Sequence, residues 1–416
     1  MMAQASDRAW ILIPAGQRAS GEWIDDTLAA RGREAGMEAR APWAGRFPRS
    51  RVEAVSAHDT DARVDALFCA RGWTDGLPVV APTLARVRGI LRYSTLDADH
   101  VLGEVDPLKG MASIEKVAAN AVMAGCLPQY FPLVVAAVQA ILDRDFNLRG
   151  VQTTDENVTP LVVINGPVAR ALEVNAGFGA LGPGWRANAT IGRALRLVMN
   201  NIGGGWPGTV SFAGLGQPGR YTLCLAENEG ESPWQPLHVE AGYAADESTV
   251  TVMRAESAIN VTGGLAEIAS VMGTAASAFA ALWSGRSTVI LSPALARSLA
   301  AQGMSKEAVR EWLFEHGRWP AAAWRDSWLF QTVGNIERWP QAVREAAQHG
   351  AVPAMARAED LVLVVAGGNV PIPQHVYCPA WGFPPARITR QVLLPDAWEE
   401  LLAERRAAEA TGLGTA

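Results

Sequence analysis

None of the four cysteines in this 416-residue chain, Cys69, Cys126, Cys224 and Cys378, stands at CxxC spacing from another, which excludes a disulfide framework. Lys and Arg form no sustained run and the formal net charge is -6, so the chain lacks the concentrated basic stripe that a phosphate backbone demands. A nucleic-acid partner is excluded on that ground. The apolar run at 10–13 ends at Pro14, too short for the core of a signal peptide or for a bilayer span. The expectation is a protein of the reducing cytoplasm with no membrane partner. No HExxH or comparable tight ligand spacing occurs, so no metal is assigned, and nothing in the sequence names a cofactor.

Apolar side chains are abundant. At 49% hydrophobic and 19% charged residues the chain can bury large cores, which excludes disorder for most of it, and its length suggests two or three domains. Residues 1–68 read as an arm or small subdomain: a strand at 10–13, a helix at 22–35, then an Arg- and Pro-bearing stretch that hides little core by itself. From Gly72 the texture changes. Helices are expected at 113–124 and 131–142, kept apart by Pro128. A strand at 161–164 feeds a helix at 168–174, a further strand precedes Glu227 at 221–226, and one at 361–366 ends in Gly367-Gly368.

Residues 162–172 (VVINGPVARAL) align without gaps on 289–299 (VILSPALARSL), matching Val162 with Val289, Ala169 with Ala296, Arg170 with Arg297 and Leu172 with Leu299. Short apolar strands alternating with helices favour an α/β layered fold with a mixed or mainly parallel sheet, with a possible internal strand-helix repeat. The expected units are 69–260, carrying a glycine-rich loop, and 261–416.

Glycine, 40 residues in all, is densest from Gly177 to Gly184, just before a helical stretch at 191–201. A loop delivered to a helix start offers unpaired N–H groups and a positive dipole end, and Arg186 and Arg193 add forked donors. Gly182, Gly184, Arg186, Asn188, Thr190 and Arg193 are the candidate residues for a carboxylate or phosphate, with Lys116 on the 113–124 helix added. Further glycines gather at 203–208 and 214–219, and Gly263-Gly264 precedes a small-residue helix at 265–282. Acid–base chemistry is expected from Glu227, Glu229 and His238, which share one loop after a strand. Cys126, Cys378 and His375 are the candidates for a thiol mechanism.

Five segments, GWTDGLPVVAPT (72–83), MASIEKVAANAVMAGC (111–126), GPGWRANATIGRALRL (182–197), AENEGESPWQPLH (226–238) and MSKEAVREWLFEHGR (304–318), resemble the bacterial family associated with UGSC-type selenoproteins and their cysteine homologues. The resemblance runs from Gly72 to about Arg390. It implies an enzyme and, where the selenol or thiol motif is present, redox work. This chain departs at that motif: it has no Cys-Gly-Ser-Cys, and residues 1–68 contain no cysteine.

The expected function is an enzyme acting on a small anionic metabolite by acid–base chemistry, lyase- or hydrolase-like, in a homo-oligomer. A thiol-dependent oxidoreductase and a non-catalytic metabolite-binding or scaffold subunit are the alternatives, the latter in keeping with 15 tryptophans.

Overall fold

The computed structural model of the chain describes residues 8–34, 50–56, 58–283, 285–333, 341–382 and 386–410. Two four-stranded sheets form its centre. In the first, Thr159–Asn165 lies between a parallel neighbour, Cys224–Ala226, and an antiparallel one, Thr249–Ala255, with Arg387–Gln391 antiparallel at the edge. In the second, Thr288–Leu291 lies between a parallel neighbour, Val362–Val365, and an antiparallel one, Gln374–Cys378, with Ile259–Thr262 antiparallel at the edge. The chain is α/β with mixed sheets.

Side chains alternate faces along a strand, and that alternation sorts the core into layers. Leu161, Val163, Leu225 and Met253 of the first sheet pack with Ile290, Val362, Val364 and Cys378 of the second, so the two sheets lie face to face. Their neighbours Val162, Ile164, Val250 and Val252 point the other way, onto helices Ile114–Ala124, Phe131–Ile141 and Arg186–Asn201. Val289, Leu291, Leu363 and Tyr377 likewise point away, onto helices Leu265–Met272, Pro293–Ala301 and Lys306–His316. The order is helix, sheet, sheet, helix.

The aligned segments 162–172 and 289–299 occupy matching places: each is the second-from-edge strand of its sheet followed by a helix that opens on proline, Pro167–Ala171 or Pro293–Ala301. The match extends further. In both copies the chain goes on to a parallel neighbour, then to an antiparallel strand, and then leaves. Ile259–Thr262, the fourth strand of the first copy, pairs in the second sheet, and Arg387–Gln391, the fourth of the second copy, pairs in the first. A boundary between 260 and 261 therefore falls inside a strand, and the two units exchange edges instead of following one another.

Residues 8–56 share the first core and do not form a separate one. Arg8–Leu12 pairs antiparallel with Val52–Ser56, and Ile11, Leu12 and Ile13 are fully buried among Phe68, Val87 and Ile114. Two expected elements are shorter than their sequence pattern. The strand before Glu227 begins only at Cys224, because Pro218 opens a short 3-10 turn and Thr222 Oγ1 turns aside to donate to Asn188 O at 2.8 Å. The 265–282 helix breaks at Gly273, where a Cβ would stand 2.5 Å from the Arg318 carbonyl oxygen.

Where the chain leaves the first sheet, Glu256 is largely buried beside Glu156, and Gln217 Nε2 donates to its carbonyl oxygen. Burial first, and the Glu156 carboxylate second, push its carboxyl pKa up to about 9. The folded state thus holds a proton that the unfolded chain releases above about pH 4.5, so this contribution is complete below that pH and is lost as pH rises toward 9. Replacing Glu256 by Gln should flatten the stability profile: unfolding free energies at pH 5 and pH 8 should differ by about 4 kcal/mol less than in the wild type. Parallel profiles for the two proteins would refute a buried neutral carboxyl.

Candidate functional site

The acidic loop begins where the first sheet's parallel pair ends. Glu227 N donates to Ile164 O, which anchors the loop to the central strand, and the Glu227 side chain turns inward, 4% exposed. Its Oε2 accepts from Asn165 Nδ2 and from Leu237 N, both at 2.7 Å. Glu229 Oε1 accepts from Asn165 Nδ2 at 2.9 Å and from Gly166 N at 2.7 Å, and lies 3.7 Å from His238 Nδ1.

The second half supplies cations. Lys306 Nζ stands 2.8 Å from Glu240 Oε1 and 3.8 Å from Glu227 Oε1, and Arg310 closes on Glu240 at 2.5 Å. Sequence reasoning placed Glu227, Glu229 and His238 together, and the structure brings them together. It did not find Lys306 or Arg310, which lie some 70 residues downstream and carry no local signal. Burial raises the Glu227 carboxyl pKa, with Lys306, the Leu237 N–H and Asn165 opposing. His238 is fully buried and neither ring nitrogen has a hydrogen-bond partner among the described residues.

The glycine loop at 177–184 lies at this same end of the sheet, but the polar side chains that follow it serve the protein. Asn188 accepts from Asn175 N and donates to Asn175 O, Ala180 O and Cys224 O, stapling loop to sheet. Thr190 Oγ1 donates to Arg186 O within the helix, and Arg186 Nε donates to Gly125 O. Arg193 grips Asp75 through Nε and Nη2, both at 2.8 Å, and also reaches Leu77 O and Pro78 O. Gly182 and Gly184 are exposed. These contacts explain the segment without an anion.

Cys126 and Cys378 are both fully desolvated, and burial pushes each thiol up to about 12. Cys126 Sγ donates to Thr190 O at 3.3 Å. A thiol held protonated at neutral pH is a poor nucleophile, so neither resembles an activated cysteine. His375 accepts from Ser292 N through Nδ1 and meets Gly263 O at 2.9 Å through Nε2, contacts that tie it to neighbouring backbone and assign the Nε2–H tautomer. Cys378 and His375 lie on one strand, three residues apart, and so point to opposite faces.

A ligand-sized space exists at the opposite end of the first sheet. A cavity of about 570 Å³ opens between the C-terminal half of helix Arg186–Asn201 and the second glycine-rich stretch, 205–218. Arg196, Arg220, Asn200 and Asp75, the last already paired with Arg193, line it, with Trp206, Leu215 and Tyr221 as its apolar wall. Arg196 Nε donates to Arg220 O at 2.8 Å and its Nη2 to Thr159 Oγ1 at 3.1 Å; Arg220 Nη2 donates to Ser211 Oγ at 3.1 Å. No carboxylate pairs with either guanidinium among the described residues. Desolvation, with Arg220 adding like-charge repulsion, brings the Arg196 pKa down to about 9, and burial lowers that of Arg220. Asn200 Oδ1, in a residue 8% exposed, has no hydrogen-bond partner among the described residues.

Neither arginine was singled out from sequence. The available signal was Arg196 itself, a cation flanked in sequence by Leu195 and Leu197 in the middle of the helix.

Comparison of the chain with protein-family models, curated proteins and solved structures returns no match. Among the described residues no group of three or more His, Cys, Asp or Glu side chains could hold a metal ion, and no single helix is long and apolar enough to cross a membrane.

Proposed function

We propose that this protein is an enzyme whose substrate is a small metabolite bearing a carboxylate or phosphate, bound in the cavity beside Arg196 and Arg220. The carrying observation is the pair of neighbouring, largely buried guanidinium groups that no carboxylate contacts directly among the described residues, the nearby Asp75 being held by Arg193. Two like charges withdrawn from water are costly, and an anion that accepts from both offsets that cost. The apolar wall of Trp206, Leu215 and Tyr221 suits a ligand with a hydrophobic body, and the unpaired Asn200 oxygen suits one that also carries a hydroxyl or amino donor.

Thermal unfolding with a panel of small anions, among them phosphate, acetate and benzoate, tests this reading. A ligand present at a hundred times its Kd stabilises the folded state by about 2.7 kcal/mol. Replacing Arg220 by Met should weaken binding roughly 10- to 150-fold, the range expected for one charge-assisted contact. Equal stabilisation of wild type and variant by every anion would remove the reading.

A second reading rests on its own observation. The Glu227, Glu229 and His238 cluster joins a carboxyl of raised pKa to an imidazole with no hydrogen-bond partner among the described residues and with Glu229 3.7 Å away, at the carboxyl ends of parallel strands, a usual place for catalytic groups in α/β sheets. Lyase- or hydrolase-like acid–base chemistry belongs to this cluster. The two regions are separated by the strand Thr159–Asn165, with Arg196 at its first residue and Glu227 at its last, about 20 Å apart at 3.3 Å per residue. One small ligand does not reach both. A His238→Gln variant that folds and turns over a confirmed substrate at the wild-type rate removes His238 from the chemistry.

A further inference from the structure

Of 36 Lys and Arg residues in the chain only three are lysine: Lys109, Lys116 and Lys306. Two are matched to carboxylates, Lys109 to Asp106 at 2.9 Å and Lys306 to Glu240. Lys116 forms no ion pair among the described residues. It sits in the first turn of helix Ile114–Ala124, 8% exposed, and its Nζ donates to Ile13 O at 2.5 Å and stands 5.3 Å from the centre of the Trp23 ring. That buried amine borders a cavity of about 340 Å³, which Arg18, Arg51, Glu115 and Ser113 also line.

The other charges around the cavity are already committed. Arg51 Nε donates to both Glu115 oxygens at 2.8 Å, and Arg18 donates to Glu22, Leu108 O and Thr27 Oγ1. Glu22 balances Arg18 and Glu115 balances Arg51, so Lys116, when protonated, is the one lining cation without an ion pair among the described residues, which favours an anion. Lysine, unlike arginine, can lose its proton and act as a nucleophile once desolvated. A chain that uses arginine almost everywhere keeps a primary amine here, in a space large enough for a small metabolite.

We propose that Lys116 captures the carbonyl group of a small anionic ligand, a 2-oxo acid or an anionic aldehyde, as an imine. The neutral amine attacks the carbonyl carbon; the C–N bond forms as the carbonyl π pair moves to oxygen, which takes up the proton that nitrogen releases. The resulting carbinolamine loses its hydroxyl with one further proton as water, leaving the C=N bond. Amine and carbonyl are thus converted to imine and water with no change of oxidation state. Burial, ahead of the opposing Glu115 and Asp25, brings the Lys116 pKa down to about 8. Near neutral pH that leaves the amine roughly 300-fold richer in its neutral form than a lysine of ordinary pKa. This site is separate from the Arg196 cavity, and neither proposal depends on the other.

Reductive trapping tests it. The full chain is incubated with glyoxylate and cyanoborohydride, which delivers hydride to the imine carbon and fixes the adduct as a secondary amine; labelled peptides are then mapped. The expected result is an adduct on Lys116 formed at least about tenfold faster than on Lys109 or Lys306, with a rate that rises with pH to a midpoint near 8. Lys116→Arg, which keeps a cation and a donor for Ile13 O, should lose that adduct while unfolding near the wild-type temperature. Mapping on the wild type needs no variant, so a misfolded Lys116→Arg leaves the test intact. Labelling confined to the α-amino group or Lys109, or no labelling at all, would overturn the proposal.

Discussion

Replacing Lys306 by methionine is expected to cost about 3–5 kcal/mol of folding stability, the loss seen when one partner of a buried ion pair is removed. Lys306 is 2% exposed and lies where helix Lys306–His316 of the second half meets the acidic loop of the first, between Glu240, Glu227 and the Gln235 carbonyl oxygen. Methionine fills a similar volume, so the effect reads charge and not packing. It leaves Glu240 with Arg310 and the more distant Arg387, and Glu227 with no cation within ion-pair distance. Equilibrium urea unfolding measures the loss. Adding Glu227→Gln should recover part of it, because it removes the carboxylate that the variant leaves unpaired, and the two neighbouring sites' effects do not add. A single-variant cost under about 1 kcal/mol would mean that solvent reaches the network and screens it.

Gly166→Ala should be comparably damaging, about 4 kcal/mol or more, through backbone strain and overpacking together. Gly166 adopts φ 86°, which L side chains rarely adopt, and an added Cβ would lie 2.7 Å from Ser248 Cα and closer still to the Glu247 carbonyl oxygen. Its N–H also holds Glu229, so displacement of this turn disturbs the acid–base cluster. The aligned position of the second copy, Pro293, is the first residue inside its helix, whereas Gly166 precedes its own as N-cap at positive φ, so the two turns differ in backbone conformation. At Gly166 the positive φ and the 247–248 backbone crossing over the turn act together. Gly230→Ala, where a Cβ meets nothing within 4 Å, is the control and should be close to neutral. Similar unfolding midpoints for the two variants would contradict the close crossing.

The sequence made the local patterns legible and left the long-range pairings hidden. Strand 161–164 and its relative at 288–291 were visible because buried strands read as continuous aliphatic runs, and their alignment pointed to a repeat. Which sheet the edge strands join was not visible, since no local signal says that Ile259–Thr262 crosses to the other sheet. The cluster of Glu227, Glu229 and His238 was legible because all three lie within twelve residues, whereas Lys306 and Arg310 enter it from another helix. The glycine loop before helix Arg186–Asn201 was the conspicuous feature, and the loop after the helix shapes the larger cavity. Glycine content reports close backbone approach, and in the first loop the approach is to the protein itself, through Asn188 and Asn175.

The exchange of edge strands makes the two copies a linked pair. Each sheet is completed by residues covalently attached to the other, so a break anywhere between 263 and 287 would leave two fragments that still hold one another through eight hydrogen-bonded strands. Neither fragment has a complete sheet of its own, and each would expose the strand its partner covers. The chain therefore has no smaller autonomous unit around its two central strands: it assembles, and it comes apart, as one cooperative body.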